Sequence, residues 1–331
     1  MKTSRILAAL LLAAALAGPA AQAASGSDPL ALVPAGAASI AVVHLDQLRT
    51  SPLSARLFTD ADKMTADGDA ARFMAEADLS PKKDVDLVVV AGMPASSGGE
   101  TPVLAIFQGR FDPDRLAAAV ESRGGTRKTS PGGDYELLPE KGNKPPAAAA
   151  FVSRDLVIAG TESVVVDVLA ARRSGTGGLT SSGSGLGRYL GRVDRASAAW
   201  AIVDVQRYPS LQRRTRSHSE SEGGSEPAAA LASAMKSVSL FAVEATPRGD
   251  GLDLAATGLT ANAETRQLLE DSLRGLLAMW RLSVEEKQPE LVSALRKFHI
   301  GNDGEGVTIR GTLPASVIRS MAQKKSEKER M

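Results

Sequence analysis

A strand–hairpin–strand–helix unit beginning at Asp84 most constrains what this chain can fold into, because its elements recur later at nearly constant spacing. Residues 85–93 are a near-continuous run of apolar, largely β-branched side chains, the pattern of a strand covered on both faces. Ser96-Ser97-Gly98-Gly99 supplies the turn, and residues 103–108 form the returning strand with Val103, Ala105 and Phe107 on one face. Asp112 then offers a carboxylate to the free N–H groups of a helix start. Pro113 occupies the first helical position, where no N–H is needed, and Asp114 favours the positive end of the helix dipole. Leu116, Ala119 and Val120 make the helix's apolar stripe, and Gly124-Gly125 ends it.

The recurrence emerges when the chain is compared with itself. Residues 40–48 lie over residues 200–208 at an offset of 160 (200 − 40), with Ala41 and Val43 matching Ala201 and Val203. Residues 85–94 lie over 238–247 at an offset of 153 (238 − 85). The helix caps Asp112 and Asn262 follow at 150 (262 − 112). Elements recurring in order with slowly drifting offsets are what a duplication with loop insertions produces.

The remaining elements fall around this frame. Residues 38–45 form a first strand, and Ser51-Pro52 starts a helical region through Leu57, Phe58 and Met64, with a second apolar group at Phe73 and Met74. Residues 126–129 and 135–138 flank the turn Pro131-Gly132-Gly133-Asp134, and residues 148–152 and 156–159 flank Ser153-Arg154-Asp155; both read as hairpins. Thr161 stands where a helix cap is needed before Val164, Val165, Val168 and Leu169. Residues 174–187 are Gly/Ser-rich and read as a linker between a first domain, 30–173, and a second, 188–323. In the second domain, residues 212–227 are a polar insertion without core-forming residues and 228–236 a short helix. Strands 238–245 and 252–259 pair across Arg248-Gly249-Asp250-Gly251. Asn262 caps a long helix whose Leu268, Leu269, Leu273, Leu276, Leu277 and Trp280 are expected to face the sheet, with a partner groove or a membrane surface as the alternative, and Pro289 breaks it. Residues 307–313 are the last strand and 324–331 a charged tail.

Residues 1–23 have the form of an export signal. Lys2 and Arg5 precede the short apolar core 6–16, Gly18-Pro19 breaks it, and Ala21-Gln22-Ala23 places small residues for cleavage between Ala23 and Ala24. Loss of Lys2 and Arg5 takes the basic count from 39 to 37 against 38 acids, a mature net charge of −1. That balance is unlike a phosphate-neutralising nucleic-acid protein, and no other stretch reaches transmembrane length. The absence of cysteine excludes disulfides, thiol catalysis and thiolate metal sites.

Chemical motifs are sparse. His44, His218 and His299 are far apart, and none has a partner at metal-ligand spacing. Ser80-Pro81-Lys82-Lys83 and Ser233-Ala234-Met235-Lys236 satisfy Ser-x-x-Lys, without the further elements that acyl-transfer enzymes pair with it. Asp60, Asp62, Asp67 and Asp69 fit no calcium-loop register, because Met64 or Arg72 falls on a position that cannot carry it. Glycines 183, 185 and 187 lack the strand and Lys-Ser/Thr of a nucleotide loop. No catalytic, cofactor-binding or metal-binding residue is assigned. An assembled site requires His44 or His299 to converge with Asp46, Asp84, Asp86 or Asp204.

The ordered set Leu32-Val33-Pro34-Ala35, strand 40–45, Asp84-Val85-Asp86, Gly109-Arg110-Phe111-Asp112 and 156–161 resembles uncharacterised exported bacterial proteins, families of unknown function with duplicated α+β units. The resemblance implies an extracytoplasmic location and no catalytic residue. The expected architecture is two related α+β domains, each a mainly antiparallel sheet with helices on one face and a ferredoxin-like β-α-β-β-α-β core order. The expected function is non-enzymatic binding of a protein or cell-envelope partner from the periplasm or medium. The alternative is an envelope hydrolase or small-ligand-binding protein with its site between the two domains.

Overall fold

The computed structural model describes residues 28–51, 69–94, 101–139, 145–176, 178–181, 183, 185–207, 237–284 and 289–318. The export signal with its cleavage point, most of the helical region expected from Ser51 to Met64, the insertion 212–227 with His218, the helix 228–236 and the tail 324–331 lie outside them. The chain is α+β, built on antiparallel strands, and divides into two compact units, residues 1–191 and 192–331.

The first unit contains β1 (Ser39–His44), α1 (Leu45–Arg49), α2 (Asp69–Glu76), α3 (Pro81–Asp84), β2 (Val85–Gly92), β3 (Val103–Gly109), α4 (Pro113–Glu121), β4 (Thr126–Ser130), β5 (Gly133–Leu137), β6 (Ala147–Ser153), β7 (Leu156–Thr161) and α5 (Glu162–Ser174). Its strand order is β1-β2-β3-β7-β6-β5-β4, and every neighbouring pair is antiparallel. In a ferredoxin-like core the two strands that a helix joins run parallel with a third strand between them; here β1 and β2, which flank α1–α3, are direct antiparallel neighbours.

Helices cover both faces of this sheet, where the sequence pointed to one. Leu116 and Val120 of α4 sit over Val85, Phe107, Ala149, Phe151 and Val157. On that side Arg127 pairs with Glu136 at 2.9 Å and approaches Glu121 at the end of α4. The opposite side belongs to α5, since Tyr135 donates to Glu162 at 2.8 Å and Lys128 pairs with the same carboxylate. Leu104, Ile106, Ile158 and Ala148 on this second face are fully buried. Both sides of the run 85–92 therefore meet protein, which is why it carries no polar alternation.

Local chemistry explains the element boundaries. Asp112 accepts a hydrogen bond from the Arg115 amide at 3.2 Å, capping α4 behind Pro113. Thr161 occupies the cap position of α5, but its hydroxyl accepts from the Val103 amide of β3 at 3.2 Å, so it staples the sheet instead of capping the helix. Gly175 ends α5 at φ 64°, a left-handed conformation that glycine adopts without cost. The stretch 174–187 expected as a Gly/Ser linker falls within the first unit, which runs to Gly191. Leu179 and Leu186 within it are fully buried, and the Leu179 amide donates to the Val33 carbonyl at 2.7 Å. Two leucines among many glycines and serines were enough to fasten it.

The second unit contains β8 (Ala199–Asp204), β9 (Val238–Arg248), β10 (Gly251–Thr260), α6 (Ala263–Val284), α7 (Pro289–Arg296), β11 (His299–Asn302) and β12 (Gly306–Pro314). Its strand order is β8-β9-β10-β12-β11, again antiparallel throughout. Leu269 of α6 is buried against Val238 and Val307, with Leu273 and Ile300 alongside, and α7 packs Leu291, Ala294 and Leu295 against Val317.

The pairing registers of the two units correspond under the offsets read from the sequence. Ile40 opposes Ala91 in the first unit, and Trp200 opposes Glu244 in the second, which are those residues advanced by 160 and 153. Ala91 in turn pairs with Leu104 and Glu244 with Ala255, and following that row onward sets the Leu104–Gly160 and Ala148–Gly160 pairs against Ala255–Arg310 and His299–Arg310. Each unit also interrupts the equivalent ladder at the same place, by a bulge at Asp86 in β2 and at Ser239 in β9. The units diverge at the helix after the third strand. In the first, α4 is short and leads into the hairpin β4–β5; in the second, α6 is long and leads into α7.

Candidate functional site

The titratable residues singled out in the sequence are divided between the two units. His44 closes β1, and Asp46 stands in the first turn of α1 with Oδ1 buried and without a hydrogen-bond partner among the described residues. Asp84 accepts from the Ser80 amide at 2.6 Å. Asp86 is held on one oxygen by Arg49 and on the other by Arg110. Asp204, in the other unit, accepts from the Gln206 amide at 3.1 Å. His299 begins β11, also in the second unit, so the two histidines belong to different units. Among the described residues, no three His, Asp or Glu side chains are grouped to hold a metal ion.

The resolved electrostatic perturbations are structural. Arg123 beside Glu76 holds that carboxyl below its usual range. Glu136 raises Arg127, and burial together with the hydrogen bond to Glu162 pushes the Tyr135 phenol up.

Two surface features remain, both in the second unit. The first is α6. The sequence placed Leu268 on the sheet-facing stripe with Leu269, but the helix divides its apolar residues between two sides. Leu269, Leu273 and Leu277 turn inward, and Arg281 donates to the Leu295 carbonyl at 2.8 Å, fastening the C-terminal half to α7. Leu268, Met279 and Leu282 turn outward and are 55%, 39% and 73% exposed, while Trp280, eleven residues beyond Leu269 and so on the inner stripe, is 44% exposed near the helix end. Met279 and Leu282 lie eleven and fourteen residues beyond Leu268 along the helix, so at 3.6 residues per turn the three share one side. A helix apolar on two sides has more than a sheet to cover.

The second feature is the sheet face turned away from α6 and α7. Its centre is an open groove of about 480 Å3, lined by Glu244 of β9, Asp253 of β10, Arg310 and Thr312 of β12, and Lys297 and His299. Register places Arg310 directly across from His299 on one side and Ala255 on the other. Glu244 follows across Ala255. In the sequence His299 is one of three isolated histidines. The missing signal was the pairing register, which sets His299 beside an arginine eleven positions away.

No helix of the described residues is long and apolar enough to cross a membrane. No protein-family model matches the chain, and no curated protein matches it. Among solved structures, crystal form I of TP0453 aligns with a TM-score of 0.48 at 10% identity, covering 91% of this chain and 98% of that one. Crystal forms III and IV of TP0453 align with TM-scores of 0.48 and 0.47 at 12% and 11% identity, each covering 90% of this chain and 98% and 97% of theirs.

Proposed function

We propose that this is an exported, non-enzymatic binding protein that engages a partner protein or a cell-envelope component through the outer side of α6. The observation that carries the reading is the solvent-facing set Leu268, Met279 and Leu282 on a helix whose opposite side already fills the core. Single exposed leucines are ordinary on protein surfaces, whereas large apolar side chains gathered on one helix mark interaction surfaces. Export rests on the signal-like leader, with cleavage between Ala23 and Ala24 and residence in the periplasm or medium. N-terminal sequencing of the mature protein checks this, and an intact Met1 in the membrane fraction would overturn it.

The two units belong to this proposal as copies of one ancestral α+β unit, the form that the resemblance to uncharacterised exported bacterial proteins implies. Matching registers and the equivalent bulges at Asp86 and Ser239 support descent by duplication. Superposition of the β1-β2-β3-β7-β6 and β8-β9-β10-β12-β11 cores tests it; fewer than four superimposable elements would refute it.

Affinity capture from envelope extract tests the binding reading. The mature wild type should retain a specific component that a Leu268→Ser/Leu282→Ser variant with unchanged melting temperature loses by at least about tenfold. Equal capture by both proteins, or no specific component with the wild type, sinks it. A second reading, a small-ligand-binding protein, is favoured by one observation, the groove on the open sheet face of the second unit.

A further inference from the structure

The same sheet positions are used in opposite ways by the two units. In the first, the row Ala148–Gly160–Leu104–Ala91 crosses β6, β7, β3 and β2, and all four residues are buried on the face that α5 covers. In the second, the corresponding row is His299–Arg310–Ala255–Glu244, with His299 and Arg310 exposed. A core face in one unit has become a charged, concave face in the other.

The charges on that face are not balanced side chain by side chain. Its carboxylates already have partners: Glu244 accepts from the Asp194 amide at 2.6 Å, and Asp253 holds Arg248 at 2.9 Å and the Thr312 hydroxyl at 2.6 Å. The side chains of Lys297, His299 and Arg310 have no hydrogen-bond or ion-pair partner among the described residues, and all three line the groove. Lys297 lies in the turn before β11 and lines the groove with His299, while Phe298 between them sets its ring against Gly311. Directly paired residues on adjacent antiparallel strands have Cβ atoms about 5 Å apart, so His299 and Arg310 spring from adjacent points of this face. Ala255 leaves open space beside Arg310. Across Glu244, on β8, the indole N–H of Trp200 is buried and unpartnered among the described residues.

From this arrangement we propose that the open face of the second unit binds a phosphate group, seated between Lys297, His299 and Arg310. An arginine fork, an imidazole and a flexible ammonium give donors from three directions, which suits the several oxygens of a tetrahedral phosphate. A groove of about 480 Å3 is of the size that holds a small molecule around such a group. The phosphate belongs either to a small soluble ester or to a lipid headgroup, and both present the same oxygens. This site is separate from the outer side of α6 and stands without it.

Amide and side-chain NMR of the whole mature protein tests the proposal, with three probes at constant ionic strength: inorganic phosphate, glycerol 3-phosphate, and phosphatidylglycerol vesicles against phosphatidylcholine vesicles. Saturable changes at His299, Arg310 and Thr312 are expected. Arg310→Ala should weaken the interaction at least tenfold and Lys297→Ala about threefold, while Arg266→Ala on α6 leaves it unchanged. Saturation by glycerol 3-phosphate assigns the group to a soluble ester, and a response confined to phosphatidylglycerol vesicles assigns it to a headgroup. Arg310 and Lys297 are exposed, so unchanged melting temperatures should accompany both variants. The proposal is overturned if no probe gives a saturable change at the groove. It is equally overturned if the response survives in the Lys297→Ala/Arg310→Ala double variant.

Discussion

Arg49 and Asp86 form the ion pair that fastens α1 to the bulge of β2. Arg49 Nη1 lies 2.5 Å from Asp86 Oδ1, and the arginine side chain has no exposed surface. Arg49 also donates to the Val85 carbonyl, and Arg110 takes the second Asp86 oxygen at 3.0 Å. Five residues are too few for α1 to hold itself as a helix. Its place therefore depends on buried Leu45 and Leu48 together with this pair. Asp86→Ala leaves a guanidinium buried without its counter-charge and should cost about 3 kcal/mol in urea unfolding. Arg110→Ala removes an exposed partner and should cost less than about 1 kcal/mol. In the Asp86→Ala background, Arg49→Met should restore stability, because no charge then remains buried. A loss of under about 1 kcal/mol for Asp86→Ala would show that the bulge does not depend on the pair.

Asp112 and Asn262 cap α4 and α6 in the same way, each accepting from the amide three residues on, at 3.2 and 2.9 Å. Replacing either by alanine should cost about 1 kcal/mol. Because the caps lie in different units, the double variant should show the sum. Hydrogen exchange in the first turns of the two helices separates the effects. Unchanged protection in either helix would remove its cap from the account.

These caps and the apolar strand runs were legible in the sequence because each is a local pattern with one strong physical reading. Runs such as 85–92 have a single way to hide their side chains, and Asp112-Pro113-Asp114 has one role at a helix start. The offsets of 160 and 153 carried long-range information too, since they correctly align β1–β2 pairing with β8–β9 pairing. What stayed hidden depended on partners distant in the chain. Thr161 looked like a helix cap, but the Val103 amide on β3 offers its hydroxyl a better donor. Leu179 and Leu186 looked like linker residues because their neighbours are glycine and serine, yet both are buried, and the Leu179 amide bonds the Val33 carbonyl far back in the chain. On α6, Leu268 and Leu269 are one residue apart and equally apolar, so only the sheet decides which turns inward. The groove was least legible of all: His299, Arg310 and Glu244 become neighbours only through the pairing of four strands.

Tyr135 should make stability fall at alkaline pH. Burial, reinforced by Glu162 through its hydrogen bond and charge, raises the phenol above its ordinary value. Folding therefore favours the protonated phenol. Its contribution is complete below the ordinary tyrosine value of about 10 and is lost as pH rises through the higher folded value. Tyr135→Phe should cost about 1 kcal/mol at neutral pH, from the hydrogen bond to Glu162. It should also flatten the fall in melting temperature above about pH 10 relative to the wild type. Parallel melting curves for the two proteins from neutral pH through that range would exclude Tyr135 as the source.

The division of α6 into an inner and an outer side makes a prediction about adjacent leucines. Leu269 is 1% exposed and packs on Val238 and Val307, while Leu268 is 55% exposed. Leu269→Ala should leave a cavity in the core of the second unit and cost about 3 kcal/mol. Leu268→Ala removes as many carbons from the neighbouring position and should change stability by less than about 0.5 kcal/mol. Helix propensity cannot produce this contrast, since the same substitution is made at successive interior positions of one helix. Urea unfolding of the two variants reads it directly. Equal losses would mean that Leu268 is buried in solution, and the outer side of α6 would then be core and not a surface held open for a partner.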